Sequence, residues 1–247
     1  MTLRLSRFLA RAGASSRRGA GDLVAAGRVR INGKPPVGPG DPVDPASDVV
    51  TLDGRRLEVA DPLWLALHKP PGYVTSRAPT ERHATVYSLM GHPPKALVSV
   101  GRLDVMSEGL LLFTTDGDLA ARLMHPKWAV PRGYRVLITG ELDAEQRRRL
   151  DRGVMLPDED RPVKPLRWHL GAGEGGAALE LDLAEGRSRV VRRLCAELGI
   201  GVRRLVRLSY GPILLRDLAP GRSRALSLSE RTALYSAVKL PVPPTGG

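Results

Sequence analysis

Cysteine is nearly absent: the 247 residues contain one, Cys195. That excludes an internal disulfide and a cysteine-rich zinc site. Cys195 lies in an apolar run with Val191, Leu194 and Leu198 and is expected to be core filler. Aromatic residues are also scarce, at 4% of the chain, so Leu and Val must do most of the packing. No apolar run approaches the roughly 18 residues that a membrane helix needs. The start, MTLRLSRFLARAG, is amphipathic rather than built like a signal peptide. The chain is therefore expected to be soluble, cytoplasmic and monomeric. Acidic side chains are in deficit, with 26 Asp and Glu against 38 Lys and Arg, a net charge of +12 and a pI near 10.6. An imbalance of this size implies a polyanionic partner, with nucleic acid ahead of a membrane surface. Gly101 and Gly109 are not followed by the Lys-Ser/Thr pair of a phosphate loop, so nucleoside triphosphate chemistry has no support. His68, His83, His92, His125 and His169 have no metal-like spacing. No metal and no cofactor are expected.

The positive charge is clustered. Residues 1–34 hold eight Lys or Arg and one acid, and residues 186–207 hold seven Arg and one acid. Clusters of this kind are the electrostatic footprint of RNA or DNA binding. Arg7, Arg17, Arg18, Arg28 and Lys34 are the candidate phosphate contacts of the first cluster, and such contacts position a protein without reading sequence.

Periodicity divides the chain. Leu5, Phe8, Leu9 and Ala12 follow helical spacing up to Gly13, and Ser15 or Ser16 is placed to cap a second helix ending near Ala26. Val29 and Ile31 lead into Asn32-Gly33, a hairpin signal, and Asp53-Gly54 centres another strand–turn–strand piece. Residues 1–60 thus form a small module of two helices and short strands. Residues 64–240 form a second unit, and from residue 63 on strands (63–69, 96–100, 109–115, 134–139, 178–185, 205–215) mix with helices. Asp116, the Asp143/Gln146 capping box, Ser188 and Ser229 mark the helix starts. Strands and helices interleave without strict alternation, which implies an α+β fold with a mixed sheet.

The most informative stretch is VSVGRLDVMSEGLLLFTTDGDL (98–119). A loop bearing Arg102, Asp104, Ser107 and Glu108 hangs between two apolar strands, the kind of rigid mount on which catalytic side chains occur. GRLDVMSEGLLLFTTDG, with HKPPGYVTS (68–76) before it and EGRSRVVRRL (185–194) and LVRLSYGPILL after it, resembles the RsuA/RluB-type ribosomal-RNA pseudouridine synthases. The first 57 residues resemble the alpha-L RNA-binding motif that precedes the catalytic domain in that family. The resemblance is collinear over nearly the whole chain, and the tail ALSLSERTALYSAV is more similar to the RluB branch, which modifies large-subunit rRNA. It implies a catalytic domain with a mixed, mainly antiparallel sheet flanked by helices. It also implies a catalytic Asp at Asp104, an active-site Tyr at Tyr134, an Arg pairing with the Asp at Arg192, and at Arg102 the arginine that displaces the target nucleotide. Lys69, placed at a strand end to help shape the pocket, joins Arg132 and Arg189 in the RNA-binding set. Met106, Arg132 and Val190 depart from the usual Asn, Lys and Gln or Glu of the family.

The chemistry fits these residues. Pseudouridine formation breaks a glycosidic bond, turns the base and rejoins it through carbon. It needs an ionised carboxylate by the nucleotide, a cation to hold it ionised, an aromatic ring for the extruded base, and a nucleotide flipped from its helix at about a few kcal/mol. Ribosomal RNA, free or in a partly assembled large subunit, is the expected partner. Two rival readings remain at this point. One is a metal-dependent nuclease using Asp104, Glu108, Asp116 and Asp118; the other is a non-catalytic RNA-binding assembly factor.

Overall fold

A computed structural model describes residues 2–16, 19–59, 61–174 and 176–243. Arg17 and Arg18, two of the expected RNA contacts, lie outside the described residues. The N-terminal module runs through β1 (Leu3–Arg4), α1 (Leu5–Arg11), α2 (Ala20–Ala25), β2 (Val29–Ile31), β3 (Pro42–Val43), β4 (Val50–Leu52) and β5 (Arg55–Arg56). The i, i+3, i+4 face of α1 buries Leu5, Phe8 and Leu9 against Ala20, Val29, Val43 and Val50, a core of the module's own. Two details differ from the sequence reading. Helix α2 begins only at Ala20 and has no side-chain cap; Ser16 instead accepts the Gly19 N–H one turn earlier. Asn32 and Gly33 do take the positive φ values of a tight turn. Only the single Ile31–Lys34 bridge follows that turn, however, and β2 pairs with β4.

The larger part contains β6 (Trp64–Lys69), β7 (Val98–Val100), β8 (Glu108–Thr114), α3 (Gly117–Met124), β9 (Arg132–Ile138), α4 (Ala144–Arg152), β10 (Arg167–Gly173), β11 (Gly176–Leu183), α5 (Val190–Glu197), β12 (Val202–Tyr210), β13 (Ile213–Leu214), β14 (Ser223–Ala225) and α6 (Leu228–Ala237). One sheet runs β10-β11-β9-β12-β8-β6-β14, with β7 added on β8 and β13 on β12. Only β8 and β12 run parallel; the other pairs are antiparallel, which makes the sheet mixed and mainly antiparallel, as expected for an α+β fold.

Strand β8 is buried on both faces. Leu110 and Leu112 pack with Ala66, Leu119 and Leu234, while Leu111 and Phe113 pack with Leu67, Leu97 and Leu103. That is why GLLLF reads as an unbroken apolar run. Gly109 stands where β8 meets β12; its φ is +105°, and a Cβ there would lie 2.6 Å from the Arg207 nitrogen. At the other end of the sheet, Val136, Ile138, Leu179 and Leu181 pack under Leu150 of α4 and Val191, Leu194 and Cys195 of α5. Burial pushes the Cys195 thiol up to about 12, consistent with a packing role.

Asp116 caps α3 and the Asp143/Gln146 box caps α4, as read from sequence. Two caps move. Helix α5 starts after Arg189, in left-handed conformation with φ +51°, rather than from Ser188. Ser227, not Ser229, caps α6, because Glu230 stands three residues on to complete the box. Strand β10 alternates Trp168, Leu170 and Ala172 with Arg167, His169 and Gly171, a pattern the sequence reading passed over; it pairs with β11 as far as Gly173 and Gly176. Arg7 of α1 reaches Asp118 at the start of α3 at 2.6 Å, tying the module to the larger part.

Candidate active site

Between β7 and β8 the chain leaves the sheet as the loop 101–107, which is pinned along its length. The Leu103 carbonyl accepts from Thr75 Oγ1 at 2.9 Å, and the Leu103 N–H donates back to it at 3.3 Å. The Val105 carbonyl takes the Gly72 N–H at 2.8 Å and Lys69 Nζ at 3.0 Å. Arg192 Nη2 holds the Met106 carbonyl at 3.1 Å, and Lys69 Nζ holds that of Ser107 at 2.7 Å. Within this clamp the Ser107 N–H turns back to the Asp104 carbonyl at 3.0 Å. The Asp104 side chain, half-buried, makes no hydrogen bond or ion pair with another described residue. A fixed backbone presenting an uncommitted carboxylate is the arrangement that positioned catalysis requires.

The loop forms one wall of a cleft of about 980 Å³ whose opposite wall is the segment between β11 and α5. Among the described residues lining it, Asp104 is the sole carboxylate, against Arg102, Arg132, Arg187, Arg189, Arg192 and Arg207. Arg102 and Arg189 are exposed. Arg187 is occupied by Glu185 and Glu159. Tyr134, only 8% exposed, faces the cleft from β9, and Arg132 lies two residues before it on the same strand face. The structure thus brings Arg102, Asp104, Arg132, Tyr134, Arg189 and Arg192 into one cleft. It does not make the expected Asp104–Arg192 pair. Arg192 is spent on the loop instead, through Met106 and, at 3.4 Å, Ser107 Oγ.

Lys69 needs correction as an RNA contact. It has no exposed surface, and its ammonium is enclosed by the carbonyls of Pro70, Val105 and Ser107. Burial pushes it down from 10.5 to about 8, Arg207 adds to the depression, and Asp104 and Glu108 oppose it. It is a buried strut beneath the loop. In the N-terminal module Arg28 is engaged by Asp53 at 2.9 Å and Arg7 by Asp118, while Lys34 is exposed.

Sequence reasoning placed Ser107 on the loop without a role, and missed Thr75 and Arg207 as site residues. Arg207 was legible in principle, as a cation in the otherwise apolar strand LVRLSY; it is 3% exposed and donates to the Leu110 carbonyl at 2.7 Å. The four carboxylates of the nuclease reading diverge. Glu108 is bound by Arg204 at 2.5 and 3.1 Å, Asp116 caps α3 and accepts from Tyr235, and Asp118 meets Arg7. Among the described residues no group of three His, Cys, Asp or Glu is placed to hold a metal ion, and no helix is long and apolar enough to cross a membrane.

Comparison with known proteins bears on the same residues. Residues 64–197 match the family model described as RNA pseudouridylate synthase, and residues 3–50 match the S4 domain. An uncharacterized RNA pseudouridine synthase of Aquifex aeolicus is 37% identical over 243 residues, 97% of this chain and 96% of that protein. The ribosomal large subunit pseudouridine synthase B of Shigella flexneri is 39% identical over 250 residues, 98% of this chain and 85% of its own length. A crystal structure of a pseudouridylate synthase superposes with a TM-score of 0.65 at 29% identity, over 94% of this chain and 99% of that one.

Proposed function

The chain belongs to the RNA pseudouridylate synthase family, and we propose that it converts one uridine of large-subunit ribosomal RNA to pseudouridine, with Asp104 as its catalytic carboxylate. The observation that carries this reading is the one carboxylate among the described lining residues, held on a clamped loop in a cleft whose other charged lining residues are arginines. The reaction is balanced within the nucleotide: the C1′–N1 bond breaks, a C1′–C5 bond forms, C5 loses a proton and N1 gains one. It consumes no second substrate. Asp104 acts at the sugar while that bond is open. Tyr134 packs on the flipped base, and its hydroxyl is suited to relay the proton leaving C5. Arg192 holds the loop in the free protein and brings a positive charge to the wall that carries Asp104. Arg102 and Arg189, exposed at the mouth, take phosphates and the space left by the flipped nucleotide.

The large-subunit assignment rests on the likeness to synthase B of Shigella flexneri. A module at 1–60 and a catalytic domain at 64–240 are supported by their separate cores. The module delivers RNA to the cleft, in a monomeric, cytoplasmic protein that acts on free rRNA or an assembling subunit. Mapping pseudouridine across rRNA from cells with and without the gene tests this. One large-subunit position is expected to lose its modification and to regain it with the wild-type gene. An unchanged map refutes the proposal.

A further inference from the structure

The cleft arginines differ in what they are bound to. Arg187 has two carboxylates, Arg192 has the loop, and Arg102 and Arg189 have solvent. Arg132 has neither a carboxylate nor the loop, and little solvent. It is 6% exposed, and its Nη2 donates to the Leu123 carbonyl at 3.2 Å and the Tyr210 hydroxyl at 2.8 Å. Its Nε and Nη1 meet no acceptor among the described residues, and no carboxylate stands within ion-pair distance. Its guanidinium lies 4.8 Å from the Tyr210 ring centre, and a second buried cation, Arg207, lies 5.3 Å from the same ring, also without a carboxylate. One Arg207 nitrogen has no partner at all. Two buried guanidiniums beside one ring repel each other, and each is desolvated without a counter-charge. Gly186, on the opposite wall, packs close to this guanidinium: a Cβ there would press on Arg132 Cζ at 3.3 Å.

We infer that Arg132 is the cleft's anion subsite and that its ligand is the 5′ phosphate of the flipped uridine. This rests on the synthase reading above. Arg132 and Tyr134 rise from the same face of β9, two residues or about 6.6 Å apart along the strand. That spacing matches a single nucleotide with its base on Tyr134 and its own phosphate on Arg132. With Nη2 given to Leu123 and Tyr210, the donors left over on Arg132, Nε and Nη1, point apart, and each can give a phosphate oxygen one charge-assisted N–H bond. Arg132 is then a binding residue of the reacting nucleotide itself, distinct from the exposed arginines that grip flanking RNA.

The test uses an RNA stem-loop carrying the uridine that the rRNA map identifies, made with a neutral methylphosphonate as the linkage on its 5′ side. The preceding nucleotide carries a 2′-O-methyl group, in test and control RNA alike, to keep that linkage intact. The neutral linkage is expected to lower wild-type kcat/KM about 30-fold or more. Arg132→Met is expected to lower it similarly on ordinary RNA. Combined, the two changes should cost no more than either alone, because both remove one contact. Losses that multiply, or a wild-type protein indifferent to the neutral linkage, overturn the inference. Arg132→Lys, which keeps the charge, should be intermediate and serves if the Met variant fails to fold. A wild-type protein that makes no pseudouridine in ordinary RNA overturns the synthase reading and this inference with it. Pseudouridine formed with multiplying losses overturns the inference alone.

Discussion

Replacing Lys69 by Met is expected to disable the protein without unfolding it. Lys69 Nζ supports three carbonyls, two of which belong to the loop that carries Asp104. In Lys69→Met the Val105 carbonyl keeps the Gly72 N–H, but those of Pro70 and Ser107 lose this donor. Each orphaned carbonyl costs about 1–3 kcal/mol. Against that, the variant no longer buries a charge whose pKa has been driven from 10.5 to about 8, a relief of roughly 3 kcal/mol. The terms nearly cancel, so Tm should move by only about 2–8 °C. Catalysis has no such compensation, since an ångström of loop displacement costs on the order of 100-fold in rate. The assay is single-turnover pseudouridine formation at saturating RNA.

The wild type should also lose rate as pH rises through about 8. A neutral amine has two N–H bonds and a lone pair, and cannot serve three carbonyls. The fold as a whole should not weaken for this reason. With the folded pKa below the unfolded one, the unfolded chain binds more protons between pH 8 and 10.5, so this group makes stability rise there. Lys69→Arg, which stays charged, should be slower at neutral pH but should lack the alkaline fall. A Met variant within threefold of the wild-type rate would falsify the strut role.

Other substitutions follow from single contacts. Arg192→Met should lower the single-turnover rate more than about tenfold with little change in Kd; a loss confined to affinity makes Arg192 a phosphate contact instead. Gly109→Ala should cost at least about 2 kcal/mol by thermal melt, from positive φ and overlap with the Arg207 backbone. Lys34→Gln should flatten the log–log salt dependence of RNA binding by about 0.7–0.9. Arg28→Gln should change it less, because Asp53 already engages Arg28; equal slopes would show that the ion pair opens for RNA.

Much of the fold was legible because its signals are local. The 3.6-residue spacing in α1, the Asp116 and Asp143 caps and the double-sided burial of β8 each have a sequence pattern of their own. Strand β10 was missed although Trp168, Leu170 and Ala172 alternate along it, because the run is short and broken by Gly171 and Gly173; its pairing with β11 defines it. The Ser caps failed where several serines were in reach and a partner elsewhere chose: Glu230 selected Ser227, and the turn at Arg189 displaced Ser188. At the site, Asp104, Tyr134 and Arg192 were found through family resemblance and do share one cleft. Their partners were not legible. The loop is held by carbonyl bonds from Lys69, Thr75 and Arg192, and backbone acceptors leave no mark in a sequence. Lys69 was read both as a residue at a strand end that shapes the pocket and as an RNA contact; burial keeps the first reading and removes the second.

The most direct test is pseudouridine formation by purified Asp104→Asn under single-turnover conditions with saturating RNA. The Asp104 side chain makes no described contact, so Tm should stay within about 2 °C of wild type, and Kd for RNA should stay within a few-fold. No pseudouridine should form at any time. Measurable turnover by the Asn variant would contradict the assignment of Asp104 as the catalytic carboxylate.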